Sequence, residues 1–196
     1  MSSRADVTAL ILAGGQGRRM AGRDKGLLTL GGMPLVQHVI EAVATQVGGI
    51  ILSANRNVER YHAFGYPVVG DPLEGYQGPL AGFLAGLRLA PTPLLATLPC
   101  DGPRVAPDLV PRLRDALENS GAQIAVAHDG DRLQPVHALM RTGVRESLEA
   151  YLAAGERKTC RWLEQQHWVA VDFADEADSF LNVNTPEDGA RLEGTS

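Results

Sequence analysis

Between Leu10 and Met20 the chain reads Leu10-Ile11-Leu12-Ala13-Gly14-Gly15-Gln16-Gly17-Arg18-Arg19-Met20, an apolar run that breaks into glycine and then into paired arginines. Residue types in that order suit the binding of a phosphate. Glycines at the end of a buried strand let backbone N–H groups come close to an anion, because no Cβ stands in the way. Arg18 and Arg19 add charge, and Lys25 follows in Arg23-Asp24-Lys25-Gly26. The formal net charge of the whole chain is -5, so this cationic cluster is a local device and not part of a general basic surface. For the glycines alone, a strand-to-helix turn of any α/β protein is the alternative reading.

A chain of 196 residues with 44% hydrophobic content is long enough for one well-buried domain and short for two, so a single domain over 1–196 is expected. An isoelectric point near 5.5 and 5% aromatic residues argue against a nucleic-acid surface, which needs a basic face interleaved with stacking side chains. Small anionic ligands remain open. Cys100 and Cys160 have no Cys or His neighbours at zinc-ligand spacing, and a reduced cytoplasm is the expected setting. No stretch of about 18 apolar residues is present, and Met1 to Asp6 carries no apolar signal-peptide region, so neither membrane insertion nor export is expected.

Short apolar runs at Val7 to Leu12, Ile50 to Ala54, Leu94 to Leu98 and Ile124 to Ala127 alternate with segments of helical spacing, which predicts a parallel α/β sheet. Leu35, Val36, Val39, Ile40, Val43 and Val47 recur at helical intervals behind Pro34. Pro79 to Leu89 predicts a second helix, whose small Ala81, Gly82, Ala85 and Gly86 allow close approach to the sheet, ended by Pro91 and Pro93. A third opens at Pro107 and runs through Leu117, with Leu109, Leu113 and Leu117 on one face. Beyond Gly130 the pattern is looser: strands at His137 to Met140, Val169 to Phe173 and Phe180 to Val183, and a helix from Val144 to Ala154, complete the same sheet.

Spacing separates the glycine-rich loops. A Walker loop needs Gly-Lys-Ser/Thr after four intervening residues; Gly17 and Gly22 fit, but Arg23 and Asp24 follow. A dinucleotide fingerprint needs a third glycine where Met20 stands. What does match is Leu12-Ala13-Gly14-Gly15-x-x-x-Arg19-Met20 followed by Asp24-Lys25-Gly26-Leu27-Leu28. With Asn55-Arg56, Asp71, Gly78-Pro79-Leu80-Ala81-Gly82, Pro99-Cys100-Asp101 and Asn182-Val183-Asn184-Thr185-Pro186-Glu187 in order, the chain resembles molybdenum cofactor guanylyltransferases of the nucleotidyltransferase superfamily over essentially its whole length.

The resemblance implies a Rossmann-like three-layer α/β/α sandwich on a mostly parallel sheet, with an N-terminal GTP-binding part and a C-terminal acceptor-binding part. It implies transfer of GMP from GTP to the terminal phosphate of molybdenum-bearing molybdopterin, with release of pyrophosphate. The partners expected are those two substrates and, transiently, the proteins that deliver or receive the cofactor. Both reacting groups are anionic, so the physical demand is for cations and backbone donors. The attacking phosphate monoester, with a second pKa of about 6, is already largely dianionic at neutral pH and needs no general base.

On this reading Leu12, Ala13 and Gly14 offer backbone groups to guanine and ribose, and Gly15 to Arg19 wrap the triphosphate. Lys25, with Arg19 in support, binds phosphate oxygens. Asp101 lies just past Leu94 to Leu98, where strand ends face the crevice of an open parallel sheet. It is the expected Mg²⁺ ligand, because that ion takes one or two carboxylates together with substrate phosphates; a turn carboxylate before Gly102-Pro103 is the alternative. Cys100 is expected to be a packed residue and not a nucleophile.

The resemblance gives Asp71 a nucleotide contact and places Gly78, Pro79 and Leu80 at a helix start that can face an anion or base edge. Alternation along the expected strand end at Asn182 to Asn184 turns one amide to the site and the other to the turn before Pro186, with Asn184 expected on the metal–phosphate side and Asn182 at the acceptor. The resemblance places acceptor contacts in the 128–132 and 155–158 loops, where Arg157 is the expected contact. One position departs from the pattern: Ser53 stands where the family commonly has Asn for guanine recognition, and Asn55 is the expected compensating contact. The rivals are a cytidylyl- or sugar-phosphate nucleotidyltransferase on the same sheet and a noncatalytic nucleotide-binding regulator.

Overall fold

Leu10 and Ile11 cannot both point to the same side of an extended strand, and their alternation sets the layers of the molecule. In the computed structural model, which describes residues 3–13, 24–72, 78–185, 188–189 and 192, the first strand β1 is Val7–Leu12. A short hairpin pairs β2 (Thr29–Leu30) with β3 (Met33–Pro34) and leads into α1 (Leu35–Ala44). Then come β4 (Gly49–Ser53), α2 (Val58–His62), β5 (Val68–Val69), α3 (Pro79–Leu89) and β6 (Leu94–Pro99). The second half contains α4 (Leu109–Ser120), β7 (Ile124–His128), β8 (Leu133–Arg141), α5 (Arg145–Ala153), α6 (Thr159–Leu163) and β9 (Trp168–Asp172).

The main sheet has seven strands in the order β5-β4-β1-β6-β8-β7-β9. From β5 to β6 all pairs are parallel; β8 is antiparallel to both β6 and β7, and β9 returns parallel to β7. The expected mostly parallel α/β/α sandwich is therefore present, with one antiparallel strand between β6 and β7. Val7, Ala9 and Ile11 pack with Val36, Val39, Leu109 and Leu113 from α1 and α4 on one face. Leu10 packs with Leu80, Phe83, Leu84, Leu148 and Trp162 from α3, α5 and α6 on the other.

Two glycines of α3 set its distance from the sheet. A Cβ on Gly86 would lie 2.6 Å from Leu10 Cδ2, and one on Gly82 would lie 2.5 Å from Leu12 Cδ2. Only a bare backbone fits so close, as the small-residue spacing of Pro79 to Leu89 implies.

The expected strand at Phe180 to Val183 is not there. Phe180 ends a short 3₁₀ segment, and the Val183 N–H donates to the carbonyl of Asp101 at 2.8 Å instead of to a sheet neighbour. The segment thus straps across the end of β6, a loop next to the crevice in place of an eighth strand. A bulge interrupts β8 as well. Ala127 faces Gln134 while Val126 faces Ala138, which leaves Pro135, Val136 and His137 out of register. Pro135 has no N–H to give to a ladder, so a break in pairing there costs little.

Candidate active site

The C-terminal ends of β1, β4, β5 and β6 lie side by side, and β1 is where the connections change direction: β4 and β5 extend the sheet to one side, β6 to the other. A crevice opens at such a point in an open α/β sheet. Here it is a cavity of about 260 Å³ lined by Leu12, Ser53, Asp71, Gly78, Pro79, Gly82, Pro99, Asp101, Val136 and Asn182. Residues widely separated in sequence thus meet because most of them end a strand, lie in the first turns of α3 or sit in the loop that crosses β6, with Val136 added from the bulge of β8.

Leu12 and Ala13 are fixed by the strands on both sides. The Ala13 N–H donates to the Ser53 carbonyl at 2.7 Å, and the Leu12 carbonyl accepts from the Cys100 N–H at 3.0 Å. Gly14, Gly15 and Arg19, expected at the nucleotide, lie outside the described residues.

Ser53, Asp71 and Gly82 form one wall. A Cβ at Gly82 would stand 3.1 Å from Ser53 Oγ and 3.9 Å from Asp71 Oδ1, so glycine keeps that wall open. Asn55 sits behind it. Its Nδ2 donates to Asp71 Oδ2 at 2.7 Å, and its Oδ1 accepts the Asp71 backbone N–H at 2.7 Å. Partial burial raises the Asp71 carboxyl above its ordinary value, and the Asn55 hydrogen bond works in the opposite direction. Asn55, expected at the ligand, thus has its amide engaged with Asp71.

Gly78 precedes α3 with φ +75° and ψ −171°, a conformation open to glycine and strained for other residues, and Pro79 occupies the first helical turn. Leu80, expected near the nucleotide, buries its side chain completely in the core beneath α3. Any ligand contact from that position is left to the backbone of the first helical turn.

Asp101, which lines the same cavity, belongs to a charged cluster. Lys25 lies in a single 3₁₀ turn, Lys25–Leu27, and its ammonium donates to Asp101 Oδ2 at 2.9 Å and to Asn184 Oδ1 at 2.6 Å. Lys25 and Asp101 retain side-chain exposures of 27% and 14%, so both are open to a ligand. Asn184 is set by the turn that follows it, where Asp188 Oδ2 accepts the N–H groups of Asn184 and Thr185. Asp101 supplies a carboxylate and Asn184 an amide oxygen, hard donors of the kind Mg²⁺ takes when phosphates and waters complete its shell. Among the described residues no three His, Cys, Asp or Glu side chains cluster at metal-binding distance, so such an ion would depend on the nucleotide for its remaining ligands.

Asn182 lines the cavity next to Gly102, where a Cβ would stand 3.3 Å from Asn182 Oδ1 and 3.9 Å from His137 Nε2. Arg157, expected at the acceptor, lies in the loop that follows α5. Its guanidinium donates to the carbonyls of Leu152 and Glu156 at the end of α5, and its own carbonyl borders Gly78. In the other expected acceptor loop, the carboxylate of Asp129 accepts the backbone N–H groups of Asp131 and Arg132, which closes a tight turn between β7 and β8.

Cys100 is buried, and burial raises its thiol well above the ordinary range, as befits a packed residue. His137 has no role that its spacing in the sequence reveals, and the structure buries it edge-on against Phe180 at a centroid distance of 4.9 Å. Pro135 is the sequence signal for the bulge that carries His137.

A family model for the MobA-like NTP transferase domain matches residues 9–170. The molybdenum cofactor guanylyltransferase of Shewanella putrefaciens is 46% identical over 182 residues, covering 93% of each chain. That of Shewanella loihica is 46% identical over 186 residues, covering 95% of each. Among solved structures, molybdopterin-guanine dinucleotide biosynthesis protein A from Archaeoglobus fulgidus superimposes with a TM-score of 0.78 at 26% identity, over 96% of this chain and 97% of that one. The 2-C-methyl-D-erythritol 4-phosphate cytidylyltransferase of Thermus thermophilus shares the fold, with a TM-score of 0.70 at 18% identity over 95% and 96% of the two chains. The chain therefore belongs to the MobA-like NTP transferase family.

Proposed function

We propose that this protein transfers GMP from GTP to the terminal phosphate of molybdenum-bearing molybdopterin and releases pyrophosphate. The observation that carries the reading is the joining of Lys25 and Asn184 to Asp101, which lines a cavity also lined by Ser53, Asp71 and Gly82. The Lys25 cluster suits phosphates and the group around Asp71 a base. The 46% identity to guanylyltransferases of that cofactor supports the same substrates.

In the reaction an oxygen of the acceptor phosphate attacks the α-phosphorus of GTP. The bond from that phosphorus to the α–β bridging oxygen breaks, and its electron pair leaves with pyrophosphate. The attacking phosphate is already largely ionised at neutral pH, so the reaction needs no general base. Lys25 turns from Asp101 and Asn184 toward the phosphates, where its charge reduces repulsion between the two anionic substrates. Asp101 and Asn184 are the residues that would hold Mg²⁺, an ion that neutralises charge on the phosphates when bound.

Asp71 reads the base. Guanine presents two adjacent donors, N1–H and the N2 amino group, and a carboxylate accepts from both. Cytosine offers one donor beside an acceptor, which a carboxylate matches less well. Ser53 adds a hydroxyl beside it, and the backbone of Leu12, Ala13 and the glycines that follow meets the ribose and triphosphate. Arg19 belongs to that phosphate side. Asn182 faces the acceptor, while Arg157 shapes the rim by fixing the loop beside Gly78. The first half of the domain thus binds GTP and the second half the acceptor.

A cytoplasmic setting agrees with this role, and the two cysteines are free. Among the described residues no helix is long and apolar enough to cross a membrane. The test is release of pyrophosphate from GTP on addition of the molybdenum-loaded pterin. Release with CTP in preference to GTP would instead favour a cytidylyltransferase.

A further inference from the structure

We propose that Tyr61 and Asn57 are positioning residues that hold Lys25 over the triphosphate by clamping its neighbour Asp24. The inference rests on the reading of Lys25 as a phosphate ligand. The Tyr61 hydroxyl donates to Asp24 Oδ1 at 2.6 Å, and Asn57 Nδ2 donates to Asp24 Oδ2 at 2.9 Å. Both oxygens of a single carboxylate are thus fixed by side chains that lie 33 and 37 residues farther along the chain.

Asn57 shows that this contact is built at a cost. It is the one non-glycine residue with positive φ among the described residues, at φ 49° and ψ 32°. It also stands at the N-cap of α2, where an asparagine side chain ordinarily accepts from the helix N–H groups. Here the side chain makes no capping bond, and only the Asn57 carbonyl receives the N–H groups of Arg60 and Tyr61. The amide is turned out of the helix and given to Asp24. A left-handed conformation that few side chains other than asparagine accept, kept together with the loss of a cap, points to a role for the contact it makes.

Tyr61 forms the floor. Its ring is fully buried, and a Cβ on Gly26 would lie 2.5 Å from its hydroxyl and 3.2 Å from Cys100 Sγ. The turn bearing Lys25 is therefore pressed down on Tyr61 and Cys100 on one side and tied by Asp24 on the other. Its lysine has one short arc to sweep, from Asp101 and Asn184 to a phosphate. Ser53, Asn55 and Asn57 divide the work along one connection: the first two serve the wall that reads the base, and the third serves the lysine.

Calorimetric binding of GTP to the full-length protein tests this with Tyr61→Phe, Asn57→Gly, Lys25→Ala and the double variant Tyr61→Phe/Lys25→Ala. Loss of one hydrogen bond to a carboxylate that orders Lys25 is expected to raise the GTP Kd about five- to tenfold in Tyr61→Phe and in Asn57→Gly. In the Lys25→Ala background, Tyr61→Phe is expected to change Kd by less than about twofold, because its effect passes through the lysine. Asn57→Gly separates positioning from stability: glycine adopts positive φ freely, so the thermal midpoint is expected to hold or rise while GTP affinity falls. Wild-type GTP affinity in both single variants, or a full-size Tyr61→Phe effect without Lys25, overturns the assignment. Absence of GTP binding by the unaltered protein overturns the reading of the site itself.

Discussion

Asn55 and Asp71 grip each other at both ends: the amide of Asn55 donates to the Asp71 carboxylate at 2.7 Å and accepts the Asp71 backbone N–H at 2.7 Å. Rotation of the carboxylate would break the first bond and movement of its backbone the second. The carboxylate plane is thereby fixed in the wall beside Ser53. Asn55→Ala is expected to lower the preference for GTP over CTP by about tenfold, the scale of one charge-assisted hydrogen bond, with a smaller loss of triphosphate affinity. Competition binding of the two nucleotides checks it. An unchanged ratio would detach Asn55 from base selection.

The same carboxylate carries a stability penalty. Burial raises its folded-state pKa, so between the unfolded and folded values the native state binds the additional proton, and stability falls as pH rises through that window. Above it the ionised Asp71 is a standing cost. Asp71→Asn is therefore expected to raise the thermal midpoint at pH 7 while weakening GTP binding. A fall in both would mean that the charge is held by favourable partners.

Asp101→Asn is expected to reduce transfer by about two orders of magnitude or more, the scale of losing a carboxylate that would hold Mg²⁺ against the reacting phosphates. Its ion pair with Lys25 is partly exposed, and such pairs contribute little to folding. The variant should unfold near the wild-type temperature. Transfer at the wild-type rate would remove Asp101 from the site.

His137 gives the fold a dependence on acid. Burial lowers its pKa to about 4, and Nδ1 has no hydrogen-bond partner among the described residues. The unfolded state takes up a proton near the ordinary value of about 6.5, so stability is complete above that pH and declines as pH falls toward 4. The slope from this one group approaches about 1.4 kcal/mol per pH unit within that window. His137→Phe should flatten it in urea titrations at pH 7 and pH 5. An unaltered slope would assign the acid sensitivity elsewhere.

The strands at Val7 to Leu12 and Leu94 to Leu98 are legible in the sequence because burial on both faces makes them apolar apart from one buried threonine each, Thr8 and Thr97. Helix α3 is legible to its last residue, since proline and glycine mark its start and Pro91 follows its end. The Phe180 to Val183 segment misleads because its apolar residues anchor a strap over β6 instead of pairing in a sheet. The reversal of β8 is written in the turn at 129–132, which leaves no room for a crossover helix between β7 and β8.

Lys25, Asp101 and Asn184 can be named from the sequence, while their convergence on one ammonium cannot. Their separations of 76 and 159 residues are closed only by the sheet order and the strap. Asp24, Asn57 and Tyr61 show the limit most clearly. Each is an ordinary turn or helix residue taken alone, and only the fold puts them in contact.

On the proposed function, guanine is read beside Asp71 and Ser53 while the phosphates are held beside Lys25, Asp101 and Asn184. The decisive measurement is pyrophosphate release by the protein with molybdenum-loaded molybdopterin and GTP, CTP, ATP or UTP in turn, each with Mg²⁺. Pterin-dependent release with GTP above the other three is expected, lost in Lys25→Ala and Asp101→Asn. Release that ignores the pterin, or that is fastest with CTP, would contradict the proposed function.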